Sequence, residues 1–262
     1  MRSFLLIIIS MMTMFSGCHQ KKSNGSTPEK TRMNEVLVLG AIHRKHLTSE
    51  KYGTETLKNL IRQINPDVVL TEIPPDRFDA AMNEFLEKDT ITESRVSRFP
   101  EYVHVLFPLL KEMDFDIIPT AGWTKQMADA RRKKLQEISQ DSTRQKDWQE
   151  YLTASQKSDS VSKAQGQDDD PYWIHTDAYD EAVEIWASTY NRLFNDELGP
   201  GGWDNINKSH YSHIEKALND HQNQGKRILI IYGAGHKGWF LRQLRKRDDI
   251  NLLEMKPFLD QL

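Results

Sequence analysis

Five short apolar runs punctuate a strongly polar chain. Val36-Leu37-Val38-Leu39 ends at Gly40, Val68-Val69-Leu70 at Thr71-Glu72, Ile117-Ile118 at Pro119, and Ile228-Leu229-Ile230-Ile231-Tyr232 at Gly233. The last runs from Ile250 to Leu253. Continuous apolar runs, rather than alternating ones, mark strands covered on both faces, as in a parallel sheet between helix layers. Between them the period lengthens. Leu57, Leu60, Ile61 and Ile64 recur at helical spacing, and Pro66 stops that helix before the second run. Thr48 or Ser49 is its expected cap, with Glu50 in the first turn. Helices are also expected from Tyr102 to Met113 and from Lys125 to Ser139. Strands alternating with helices predict an α/β fold, a three-layer sandwich with a mostly parallel central sheet. Residues 140–171 are polar and close on Asp168-Asp169-Asp170-Pro171. They read as an exposed helical insertion, either a cap over a site or a surface hairpin, with the aspartates in a solvated loop.

The first residues follow a different pattern. Arg2 precedes an apolar run from Phe4 to Phe15, then comes Phe15-Ser16-Gly17-Cys18. The run is shorter than the roughly 20 residues that span a bilayer. A charged start, a short apolar core and small residues before a cysteine resemble the signal peptide and lipobox of bacterial lipoproteins. Residues 1–17 are therefore expected to be a signal peptide, Cys18 the lipidated residue, and 18–34 a polar tether for a domain over 35–262. Cys18 is the sole cysteine, so neither an internal disulfide nor a thiol nucleophile is expected. His19, standing where inner-membrane lipoproteins commonly carry aspartate, points to the outer membrane of the cell envelope. The formal net charge of −3 argues against a nucleic-acid partner, which asks for a basic face.

The chemistry gathers at the ends of the runs. Gly40-Ala41-Ile42-His43 follows the first, and Gly233-Ala234-Gly235-His236 the fourth. A glycine lets the chain turn at a strand end, and the histidine three residues on projects over the carboxyl edge, where open α/β sheets bind ligands. Glu72 also stands just past a strand. Two imidazoles and a carboxylate suit a divalent metal with an open position for water, whose pKa falls from near 16 towards about 7 on binding. The same trio without metal suits a histidine general base oriented by the glutamate.

These residues carry a resemblance. Val38 to His43, Pro66 to Glu72, Arg77, and Gly233 to His236 resemble the TraB/PrgY/TIKI/GumN group, kin of the erythromycin-esterase-like and haem-binding ChaN-like proteins. Within it the chain is similar to a bacterial lipoprotein branch with a GAGH near its end. The resemblance implies a catalytic set of His43, Glu72, Arg77 and His236, with His43, Glu72 and His236 on the metal. It implies a metal-dependent hydrolase acting on a peptide or ester bond of a peptide or small-molecule substrate. It leaves a non-catalytic haem- or iron-binding, or partner-sequestering, lipoprotein as the alternative. The Arg-Asn pair expected before the last helix is replaced by Asn205 and Asn207 alone.

Arg77 is expected at the site, holding a substrate anion through paired hydrogen bonds or neutralising Glu72. His46 is expected in an exposed loop, His210 and His213 on a solvated helix face, and His104 in helix packing. Pro171 to His175 reads either as the mouth of the pocket or as aromatic packing. Gly199-Pro200-Gly201-Gly202 reads as a turn, since no strand precedes it and no Lys-Ser/Thr follows.

Overall fold

The structure is a computed structural model that describes residues 32–165 and 169–262. The signal peptide, Cys18, most of the tether and Asp168 lie outside the described residues. The elements are β1 (Asn34–Ala41), a 3-10 turn (His43–Leu47), α1 (Thr54–Ile64), β2 (Val68–Thr71), α2 (Pro75–Lys88), a π-helix (Glu101–Leu106) leading into α3 (Phe107–Leu109), and β3 (Asp116–Pro119). There follow α4 (Lys125–Gln140), α5 (Gln145–Ala164), α6 (Pro171–Ile174), α7 (Asp177–Phe194), α8 (Trp203–Asp220), β4 (Arg227–Gly233), α9 (Ala234–Leu244), β5 (Ile250–Leu252) and α10 (Lys256–Leu259).

All five strands are parallel, in the order β3-β2-β4-β1-β5. Their side chains divide between two apolar layers, which is why the runs are continuous. Leu37, Leu39, Val69, Leu229 and Ile231 pack with α1 and the π-helix segment on one face. Val36, Val38, Val68, Leu70, Ile228 and Ile230 pack against α8 and α9 on the other. The predicted α/β sandwich is the fold observed. β4, the last long strand in sequence, lies between β1 and β2. The carboxyl ends of these three adjacent strands therefore open at one place, though their sequences lie far apart.

Local expectations differ in instructive ways. α1 starts at Thr54 with Gly53 in extended conformation at its N-cap, and Glu55 rather than Glu50 occupies the first turn. Ser49 instead holds a turn: its hydroxyl accepts from the Tyr52 N–H at 2.8 Å and donates to Asp169 at 2.6 Å. The helix expected from Tyr102 opens as a π-helix at Glu101, and His104 on it is exposed rather than packed. Pro108, which has no N–H to continue a helical ladder, lies just beyond it. Within the polar 140–171 segment, the 20-residue α5 lies against α7. Trp148 and Tyr151 pack on Tyr190 and Phe194, and the Ser158 hydroxyl donates to the Ala182 carbonyl at 2.7 Å. No helix among the described residues is long and apolar enough to cross a membrane.

Candidate functional site

The two GxxH motifs are neighbours, because β1 and β4 pair with Ala41 opposite Gly233. Their first glycines serve each other. A Cβ on Gly40 would stand 3.0 Å from the Cα and Cβ of Ala234, the residue that starts α9. A Cβ on Gly233 would stand 2.5 Å from Nε2 of His43, closer than Cβ contacts allow. Each motif thus keeps a glycine so that the other motif can close on it. His43 itself adopts a positive φ of 49°, a left-handed turn that non-glycine residues rarely take and that recurs at functional sites.

Glu72 lies between the two motifs, just past β2 and 4% exposed. Its Oε2 accepts the Gly233 N–H at 3.1 Å, and its own N–H donates to the Tyr102 hydroxyl at 2.8 Å. That hydroxyl donates onward to the Ile231 carbonyl at 2.9 Å, tying β2 to β4 beneath the site. Burial pushes the Glu72 carboxyl up. Interaction with the neighbouring imidazoles, His236 first and then His43, together with the Gly233 N–H, outweighs it and holds the group below its usual range.

The imidazoles are set by their hydrogen bonds. His43 Nδ1 lies 2.6 Å from Oε1 of Glu101, which is fully buried; a carboxylate only accepts, so in the neutral ring Nδ1 carries the proton and Nε2 keeps a lone pair. Burial lowers the His43 pKa, but the hydrogen bond and charge of Glu101 and the charge of Glu72 raise it overall. His236 Nδ1 lies 2.7 Å from the Asn207 side-chain oxygen, and Asn207 is oriented by donating its amide N–H to the Trp203 carbonyl at 2.8 Å. His236 therefore also donates from Nδ1 and presents a lone pair at Nε2. Its ring lies between Trp203 and Phe240, stacked on each at 4.6 and 6.0 Å, and burial lowers its pKa.

His210 differs from both. It is completely buried on α8, its ring edge-on to His236 at 5.1 Å. Its Nδ1 accepts the Gly122 N–H at 2.8 Å, so the proton of the neutral ring sits on Nε2. Nε2 has no partner. Burial, with the charge of His236, lowers its pKa to about 3, which keeps the ring neutral. The expectation of a solvated face thus fails for His210, while His213 is exposed as expected. The apolar spacing of Ile206, His210 and Ile214 was the signal that His210 faces inward.

Potential metal-ligating atoms of Glu72, His210 and His236 all lie within 4.8 Å of one another. His43 stands outside that group, with its Nε2 turned towards Gly233, where Glu72 also reaches. Proximity thus groups His210 with Glu72 and His236, whereas the available lone pairs lie on His43 and His236. A neutral ring whose Nε2 bears hydrogen cannot ligate through that nitrogen. By donor chemistry His43 and His236 suit a divalent metal beside Glu72, but by distance His210, not His43, groups with Glu72 and His236; Glu101 and Asn207 hold the two rings as oxygen partners hold metal-bound histidines elsewhere.

Arg77 does not reach Glu72. It pairs with Asp76 at 3.2 Å and Glu93 at 3.8 Å, and it lines a cavity of about 170 Å³. His46, expected in the open, is buried: its Nε2 accepts the Ile42 N–H at 3.0 Å and its Nδ1 donates to the Tyr52 carbonyl at 2.7 Å. It pins the turn that carries His43. His175 accepts the Gly40 N–H at 3.0 Å and donates to the Pro171 carbonyl at 2.7 Å, so it ties α6 to the end of β1. Of the Asp168–Asp170 run, Asp169 takes the Ser49 hydroxyl and Asp170 caps α6 by accepting the Tyr172 N–H. Glu101 had no signal in the sequence, since no spacing links it to either motif. No family model, no curated protein and no solved structure matches the chain.

Proposed function

We propose that the chain is a lipid-anchored hydrolase of the bacterial cell envelope that uses a divalent metal to cleave a peptide or ester bond with water. One observation carries the reading. A buried carboxylate meets two histidines whose Nδ1 positions are tied to oxygen acceptors, leaving both Nε2 lone pairs free. His43, His236 and Glu72 would hold the metal. Bound there, the metal would supply Lewis acidity and a water acidified towards neutral pH. Glu101 and Asn207 fix the ring orientations, and Tyr102 holds the Glu72 backbone. His210 contributes a fixed N–H donor, suited to an oxygen that gains negative charge. The half-exposed His43 is the side from which substrate enters. The Arg2–Cys18 sequence supports the lipid anchor, and His19 supports outer-membrane placement.

The test uses the full chain purified in detergent, with elemental analysis and a panel of fluorogenic peptides and aryl esters. One divalent metal per chain and turnover of at least one substrate class are expected, both lost in His236→Ala. A metal-free chain with no turnover after divalent ions are supplied would sink the reading.

A further inference from the structure

Beside Glu72 and its histidines the protein presents a second polar feature, and it is basic. The cavity lined by Arg77 draws its walls from three segments: the start of α2, the loop before the π-helix, and the first turns of α4. Arg77, Arg95, Arg98, Lys125 and Arg132 face it with the half-buried Trp123, against only two carboxylates, Asp76 and Asp129. Those two are already engaged, Asp76 by Arg77 and Asp129 by Lys125 and Arg132. The guanidinium of Arg95 lies over the Phe99 ring at 4.9 Å. Neither Arg95 nor Arg98 has a side-chain carboxylate partner among the described residues. Two helix N-termini, of the 14-residue α2 and the 16-residue α4, open on the same cavity, each adding positive potential.

The cavity adjoins the site. Pro74 in its wall is two residues past Glu72. Trp123 packs edge-on to His210 at 6.2 Å. Phe99, beneath Arg95, packs edge-on to His43 at 5.1 Å. We infer that this basic cavity binds an oxyanion, a carboxylate or phosphate, and that the hydrolase acts on a substrate carrying such a group beside the scissile bond. The first half stands on the cavity alone; the second rests on the hydrolase reading. Guanidinium forks engage both oxyanions through paired hydrogen bonds. About 170 Å³ accommodates a headgroup and leaves the rest of the substrate to extend towards His43.

The experiment is calorimetric titration of the full chain in detergent with inorganic phosphate and, separately, with acetate. The variants are Arg95→Gln/Arg98→Gln, Arg132→Glu, His236→Ala and, as control, Arg242→Gln on the far side of α9. Saturable binding is expected in the wild type, weakened at least tenfold in the double variant and in Arg132→Glu, and unchanged in Arg242→Gln. Arg132 is 76% exposed, so its reversal leaves folding intact and keeps the test valid if the double variant misfolds. Binding should also survive in His236→Ala and fall with added salt. The tighter probe assigns the substrate's anion. Phosphate binding that His236→Ala abolishes and the arginine variants leave alone would put the anion on the metal and overturn the proposal; so would equal, non-saturable heats in every variant. Arginine-dependent binding in a chain that neither holds metal nor hydrolyses anything would keep the anion site while removing the hydrolase reading.

Discussion

Replacing Gly233 by alanine tests the site at its tightest point. The added Cβ would lie 2.5 Å from His43 Nε2 and 3.0 Å from Cε1. Unstrained contact begins near 3.4 Å, so the imidazole has to yield by about an ångström. It has little freedom to do so, since Glu101 holds Nδ1 at 2.6 Å and Phe99 packs edge-on with its ring. Overpacking of this kind costs about 1–3 kcal/mol of stability. A shift of about 1 Å at a reacting centre costs about a hundredfold in rate. The fold should survive, because Gly233 ends β4 and the new methyl points into the site rather than into either core. Gly235→Ala is the internal control. Its Cβ would meet only the Trp203 ring, at 3.5 Å, an ordinary contact. Both variants add one methyl to the same four-residue motif. The assay is proton NMR of the His43 Nδ1–H, whose hydrogen bond to Glu101 shifts it far downfield, together with metal content and turnover. Gly233→Ala should move or lose the signal and lower turnover about a hundredfold, while Gly235→Ala matches the wild type. If the two alanines behave alike, the interlock of the motifs is wrong.

Three further outcomes follow from the same geometry. His210→Ala should keep the bound metal and lose turnover, whereas His43→Ala should lose the metal; elemental analysis with a rate assay separates them, and metal loss in His210→Ala would restore His210 as a ligand. Tyr102→Phe leaves the Glu72 N–H and the Ile231 carbonyl without their buried partner, and denaturant unfolding should show a loss of about 1–3 kcal/mol with folding retained. Burial lowers the His175 pKa to about 4 from 6.5, so the unfolded chain binds the extra proton and this contribution is complete above pH 6.5. It is lost as pH falls from 6.5 through 4, about 3 kcal/mol in all. His175→Gln should therefore flatten the decline in urea-unfolding stability between pH 7.5 and 4.5 relative to the wild type, and an unchanged decline would show that His175 is not held neutral.

Elements covered on both faces were legible because burial imposes apolar residues at every position. Val36 to Leu39 and Ile228 to Tyr232 lie in β1 and β4, as their unbroken apolar runs predict. The ends of helices were less so. The entry to α1 is set by the extended Gly53 and by Ser49 reaching to Asp169, a contact across 120 residues that no local cap signal contains. The histidines divide on the same ground. His43 and His236 were legible because strand ends place them; His46 and His175 were not, because their partners are backbone groups brought near only by the finished loops.

Glu101 and Asn207 show the limit most clearly, and also what lies beneath it. Both act through an imidazole rather than on a substrate, so neither needs a fixed offset from a motif. Glu101 rides on a π-helix, a form with no simple periodic signature, and π-turns recur at functional sites. Asn207 stands where a resemblance expected an Arg-Asn pair, yet its side-chain oxygen holds His236 Nδ1 at 2.7 Å. The motif glycines carry the complementary lesson. Read alone, GxxH says that a strand turns and a histidine follows. In the fold, Gly233 leaves the space that His43 fills, and Gly40 leaves the space that Ala234 fills. Two motifs some 190 residues apart are therefore halves of one packing constraint, and a second glycine motif in a parallel α/β chain is evidence for the site as a whole rather than for a second histidine alone.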